Sequence, residues 1–112
     1  MQTKKGNNDH FTLPESVRMF TVEERFMRAF MDALNNGEVE VKPFSVHVQV
    51  GKMLWLGVTG SELQIRCKPR PFHSPCHKIS VEAESDLCKF LRELVRRLNR
   101  AKFPDILGDV GL

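Results

Sequence analysis

No apolar run in this 112-residue sequence approaches the ~20 residues a helix needs to cross a bilayer, so no membrane association is expected. Met1–His10 is polar and has no apolar signal core, which argues against secretion. Cysteine is scarce. Cys67, Cys76 and Cys88 are an odd number, which disfavours a disulfide framework and fits a reducing compartment, cytoplasmic or nuclear. A glycine-rich phosphate loop is missing, because neither Gly57 nor Gly60 leads into the Lys-Ser/Thr pair such a loop needs. Paired carboxylates are absent from the segments where a pocket would form. Glu23 and Glu24 open one helix, and Glu82, Glu84 and Asp86 gather at the start of another, where helix ends favour acidic groups. No repeat is visible. The sequence therefore carries no catalytic constellation, and no enzyme activity, cofactor or metal is expected from it.

What is present begins with the last helix, Ser85–Ala101. Leu87, Leu91, Leu94, Leu98 and Ala101 recur at steps of four and three, the period of one helix face. Phe90 and Val95 widen that stripe. Arg92, Arg96, Arg97, Arg100 and Lys102 collect toward its C-terminal end, the favourable end of the macrodipole for cations.

An earlier helix is expected from Thr21, where Thr21 and Glu24 have capping-box spacing and Phe20 stands in the staple position. Val22, Phe26, Ala29, Phe30, Ala33 and Leu34 give its apolar stripe, with Met27 and Met31 at the edge. Asn35-Asn36-Gly37 supplies a stop that tolerates the left-handed conformation. Between the helices the period changes to two. Phe44, Val46, Val48 and Val50 alternate with Ser45, His47 and Gln49, and Val39 and Val41 extend this strand upstream past Pro43, an edge or bulge residue. Leu54, Leu56 and Val58 alternate with Trp55 and Gly57 after a Gly51-Lys52 turn, and Leu63, Ile65 and Cys67 alternate with Gln64, Arg66 and Lys68 after Thr59-Gly60-Ser61. Pro69, Pro71 and Pro75 keep the following loop out of a sheet interior. His77–Val81 reads as a short fourth strand.

The expected architecture is α+β, a two-layer sandwich in which a three- to four-stranded antiparallel sheet carries an N-terminal and a C-terminal helix on one face, in the order α-β-β-β-(β)-α. One domain is expected over residues 12–103, between a disordered tail at 1–11 and a flexible tail at 104–112.

Two reactive clusters arise from this layout. Cys67, His73, Cys76 and His77 carry zinc-type ligands, but the spacing is a poor match to structural zinc sites, and the adjacent Cys76 and His77 would need strained geometry to share one ion. Cys67 as a core residue of the strand, with the others on an exposed loop, explains them better. A nucleophile pair of Cys67 or Cys76 with His47, His73 or His77 lacks any orienting group or oxyanion donor. Cys88 reads as a small, partly buried helix residue.

The remaining signals are surface signals. Trp55 is expected to face outward on the uncovered side of the sheet beside Arg66 and Lys68. From Arg66 to Lys102 there are ten Lys/Arg against four Asp/Glu, a net charge of +6, whereas the rest of the chain has seven against ten, a net charge of −3. An acidic partner would meet the basic half. The helix–strands–helix order over about Thr21–Arg100 resembles, in topology only, two RNA-binding families: the double-stranded RNA-binding domain and the small Alu-binding subunits of the signal recognition particle. The first family has a lysine-rich start to its second helix, where this chain is acidic with Glu82, Glu84 and Asp86. No family residue carries over.

The leading expectation is a non-enzymatic protein–protein interaction module, a homodimer or a small subunit of a larger complex. The alternative is binding of RNA or another nucleic acid through the basic C-terminal half. Trp55, Arg66, Lys68, Arg70, Arg92, Arg96, Arg97 and Arg100 are the expected contact residues in either case.

Overall fold

The computed structural model describes residues 10–67 and 76–102. Their elements are α1 (Thr21–Asn36), β1 (Val39–Lys42), β2 (Ser45–Gly51), β3 (Leu54–Val58), β4 (Glu62–Cys67), β5 (His77–Ser80) and α2 (Asp86–Lys102). The strands form one antiparallel meander in the order β1-β2-β3-β4-β5. Both helices pack on the same face, which gives the two-layer α+β sandwich expected from the patterning.

The sheet has five strands rather than three or four. Val39–Lys42 is a strand of its own, because the chain reverses at Pro43-Phe44 and pairs Lys42 with Ser45 and Val41 with Val46. Pro43 therefore sits in a two-residue turn, where its missing N–H costs no ladder bond. The next turn is Lys52-Met53, and it is entered through a bulge between Gln49 and Gly51. His77–Ser80 is the fifth strand, held by pairs such as Leu63 with Ile79.

The core lies between the sheet and the helices. Val46, Val48, Leu56, Val58 and Leu63 come from the sheet, Phe26, Met27, Phe30, Met31 and Leu34 from α1, and Leu87, Cys88, Leu91, Leu94 and Val95 from α2. Each large apolar side chain buried this way contributes about 1.5–3 kcal/mol. Met27 is fully buried and Met31 nearly so, whereas Val22 and Ala29 are exposed; the core stripe of α1 is thus rotated toward its methionines. The methionine edge of the stripe is thus consumed by folding.

The start of α1 also differs from expectation. Phe20 is the N-cap, its backbone N–H donating to Glu23 Oε1 at 2.7 Å, and Thr21 is already helical. A phenylalanine side chain cannot accept the return bond, so only half of a capping box forms. Phe20 is largely exposed and staples nothing. At the other end Gly37 is extended (φ −124°), not left-handed, and its N–H closes on the Ala33 carbonyl at 2.7 Å. At α2, Ser85 Oγ accepts the Cys88 N–H at 3.0 Å and donates to the Glu82 carbonyl at 2.8 Å, a side-chain cap.

The expected tails, 1–11 and 104–112, lie outside the described residues except for His10 and Phe11. Phe11 is tied to the body. Its N–H donates to Asn35 Oδ1 at 2.8 Å, Asn35 Nδ2 donates to its carbonyl at 2.7 Å, and the Arg97 guanidinium sits 5.2 Å above its ring. No helix among the described residues is long and apolar enough to cross a membrane.

Candidate functional site

The strongest candidate is an open groove of about 700 Å³ where the β1–β2 turn, the β3–β4 turn and α2 meet. A meander puts these two turns at the same end of the sheet. Pro43 and Phe44 form one side, Thr59–Glu62 the second, and Arg92, Val95, Arg96 and Asn99 the helix side.

Each wall is held by local chemistry. Thr59 Oγ1 accepts the N–H groups of Ser61 (3.0 Å) and Glu62 (2.9 Å), which fixes the tight turn. The Cys88 thiol donates to the Gly60 carbonyl and ties that turn to α2. Glycine at position 60 lets the Arg92 stem lie against the turn, since a Cβ there would come within 2.9 Å of Arg92 Cγ. Asn99 is buried, and its Nδ2 donates to the Val95 carbonyl at 2.9 Å. Phe44 at the rim is 84 % exposed and contributes nothing to the core. An aromatic ring held in water at a rigid turn is a feature that folding does not account for.

The groove's charges are unequal in how well they are matched. Glu62 accepts from Gln64 Nε2 at 3.0 Å and faces Lys78 Nζ at 3.8 Å. Arg96 pairs with Glu93 one turn back, and that hydrogen bond holds the Glu93 carboxyl below its ordinary range. Arg92 has no ion pair among the described residues.

The expected contact residues do not form one surface. Arg92 and Arg96 line the groove, Arg97 covers Phe11, and Arg100 is exposed one turn beyond Arg96. Arg66 lies on the opposite face of the sheet, where its guanidinium donates to Gln64 Oε1 at 3.1 and 3.3 Å. Trp55 is on that same face, between Gln49 and Arg66 across the strands, but it is only 9 % exposed. The expectation of an outward, accessible tryptophan is thereby corrected: the residue is on the expected face but its surface is covered. Lys68 and Arg70 lie outside the described residues, as does His73.

Sequence reasoning missed Phe44, Pro43, Gly60 and Asn99. Phe44 continued the period of Val46 and Val48, which made it look like a core residue.

The open sheet face carries a second polar feature. His47 is 5 % exposed, neither of its ring nitrogens closes a hydrogen bond, and its imidazole lies over Gly57 beside Gln64. Burial above all, then the positive charges of Arg66 and Lys42, lower its pKa and keep the ring neutral. No cysteine is hydrogen-bonded to it, so the pairing with Cys67 or Cys76 is not formed. Cys67, expected in the core, is instead exposed because it is the last residue of β4, at the sheet end beside the exposed Leu54; it and Cys76 are free thiols, and a hydrogen bond to Cys76 pushes the Cys67 pKa up, away from the thiolate a nucleophile needs. Among the described residues no group of three His, Cys, Asp or Glu side chains could hold a metal ion.

A scan of protein-family models and searches of curated proteins and of solved structures return no match to this chain.

Proposed function

We propose that this chain is a non-enzymatic interaction module that docks another protein in the groove between the Pro43-Phe44 turn and α2. The observation that carries the reading is Phe44. It is the most exposed of the large apolar side chains among the described residues, it stands on a turn braced by a two-strand hairpin, and it borders a groove lined by Val95. Burying an aromatic anchor of this kind is the usual source of affinity at a protein interface.

Two further points support a protein over a nucleic-acid partner. Arg66 and the α2 arginines face opposite sides of the sheet, so they do not line up as one track for a phosphate backbone. Trp55 is covered and offers no stacking platform of the kind single strands use.

The test is affinity capture from the source lysate with the full chain and with Phe44→Ser, each with and without nuclease. The reading expects one set of proteins that survives nuclease and is lost with Phe44→Ser. Capture that disappears with nuclease would transfer the assignment to RNA binding. Capture that ignores Phe44→Ser would remove the groove from the account.

A further inference from the structure

We infer that the occupant of the groove is a short acidic segment of a partner protein, one large apolar side chain flanked by carboxylates. This rests on the docking role proposed above and goes further by naming the chemistry of the partner.

Charge complementarity selects this occupant. Both carboxylates beside the groove already have partners in the chain: Glu62 is engaged by Gln64 and Lys78, and Glu93 by Arg96. Arg92 is left with no counter-ion among the described residues, and its stem lies against Gly60. A guanidinium whose stem is already packed loses less entropy on pairing than a free one, and it can grip a carboxylate with two parallel hydrogen bonds. Arg96 also lines the groove and Arg100 is exposed one turn beyond it, against the single carboxylate Glu93 on this stretch of α2. A basic segment would meet this field at a cost; an acidic one is drawn to it.

The apolar requirement comes from the other side of the groove. Phe44, Pro43 and Val95 give the groove lining an apolar part, which suits a leucine or phenylalanine side chain. At about 700 Å³ the open groove has room for a short segment, not for a folded domain. The groove is also pre-formed. The Thr59 hydroxyl and the Cys88 thiol hold the β3–β4 turn against α2 before any ligand arrives, which reduces the ordering cost of binding.

The experiment uses the full chain and three fluorescein-labelled nonapeptides with a central leucine, flanked by Glu/Asp, by Lys or by Ser. Anisotropy titrations are run at low and moderate salt. The acidic peptide is expected to bind at least ~10-fold tighter than the serine peptide and to weaken as salt shortens the ~10 Å screening length. Phe44→Ser should weaken it roughly 10-fold, the loss typical of an anchor residue, and Arg92→Glu should abolish the preference for acid over lysine. Both substituted residues are exposed, and thermal melts equal to wild type check that each variant is folded.

Equal binding of the acidic and lysine peptides overturns the inference. So does displacement of the acidic peptide by a single-stranded RNA octamer. So does a dimer of the chain alone that Phe44→Ser dissolves, which would make a second copy the occupant. If lysate capture depends on Phe44 while no acidic peptide binds, the docking role stands and the acidic chemistry falls. If both fail, both fall.

Discussion

The imidazole of His47 occupies the space that a side chain at Gly57 would need: a Cβ there would come within 2.5 Å of His47 Cδ2 and 2.8 Å of Nε2. The two residues are direct cross-strand partners on β2 and β3, so neither can move without disturbing the ladder. Gly57→Ala is expected to destabilise the fold by about 1–3 kcal/mol, the usual cost of overpacking. Removing the ring should return most of that loss. Urea unfolding of Gly57→Ala, His47→Ala and the double variant measures the coupling, which should reach about 1 kcal/mol or more for residues in contact. Additive losses would contradict the contact.

The same ring sets a pH dependence. Burial, Arg66 and Lys42 lower the folded-state pKa of His47, while Glu40 and Gln64 oppose the shift. Above the unfolded value of 6.5 the ring is neutral in both states and nothing is lost. As pH falls below 6.5 the unfolded chain binds a proton that the fold resists. Stability therefore declines with falling pH until the folded pKa is passed, then levels for this group. The urea midpoint should fall between pH 7.5 and pH 5, and His47→Gln should flatten that part of the curve. The comparison with His47→Gln separates this effect from the carboxylates that titrate lower. Parallel curves for the two proteins would show that His47 is not the source.

Cys67 should be a slow nucleophile despite its exposure. The hydrogen bond to Cys76 raises its pKa, so little thiolate forms near neutral pH. In Cys76→Ala the Cys67 pKa should drop toward the ordinary thiol range, and its alkylation by iodoacetamide at pH 8 should accelerate. Mass spectrometry of the Cys67 peptide over a pH series reads this directly. An unchanged profile would mean that the two thiols do not interact.

The layer arrangement was legible because both helices and three strands announce themselves by period. The α2 stripe was read residue by residue, and Leu87, Leu91 and Leu94 are in the core as expected. The fifth strand was less visible, although its signal is there. Val39 and Val41 fall on odd positions, whereas Val46 and Val48 fall on even ones. One continuous strand would have sent these pairs to opposite faces, so the change of parity at Pro43 marks a reversal. Reading it as an extension placed Phe44 in the core stripe and hid the groove. Met27 and Met31 were assigned to an edge because Val22 and Ala29 fitted the same period; only packing against the sheet decides which side of a wide stripe is covered. Burial of Trp55 has no period at all. It depends on how closely side chains pack across a face with no helix on it, which alternation cannot encode.

The basic residues followed the same logic. Arg92 and Arg96 were singled out for their charge, and the groove does contain them. Arg66 was grouped with them because it is near in sequence, yet strand alternation turns it to the other face of the sheet. Charge counted along the chain does not know which face it is on.

The central claim is that ligands seat between Phe44 and α2 rather than on the open sheet face. Two-dimensional amide spectra of the labelled chain, titrated with the leucine-containing acidic peptide, test this most directly. The account predicts progressive shifts at Phe44, Gly60, Ser61, Arg92, Val95 and Asn99, with Trp55, Gln64 and Arg66 unmoved. Shifts centred on Trp55 and Arg66, with the groove amides unchanged, would contradict it.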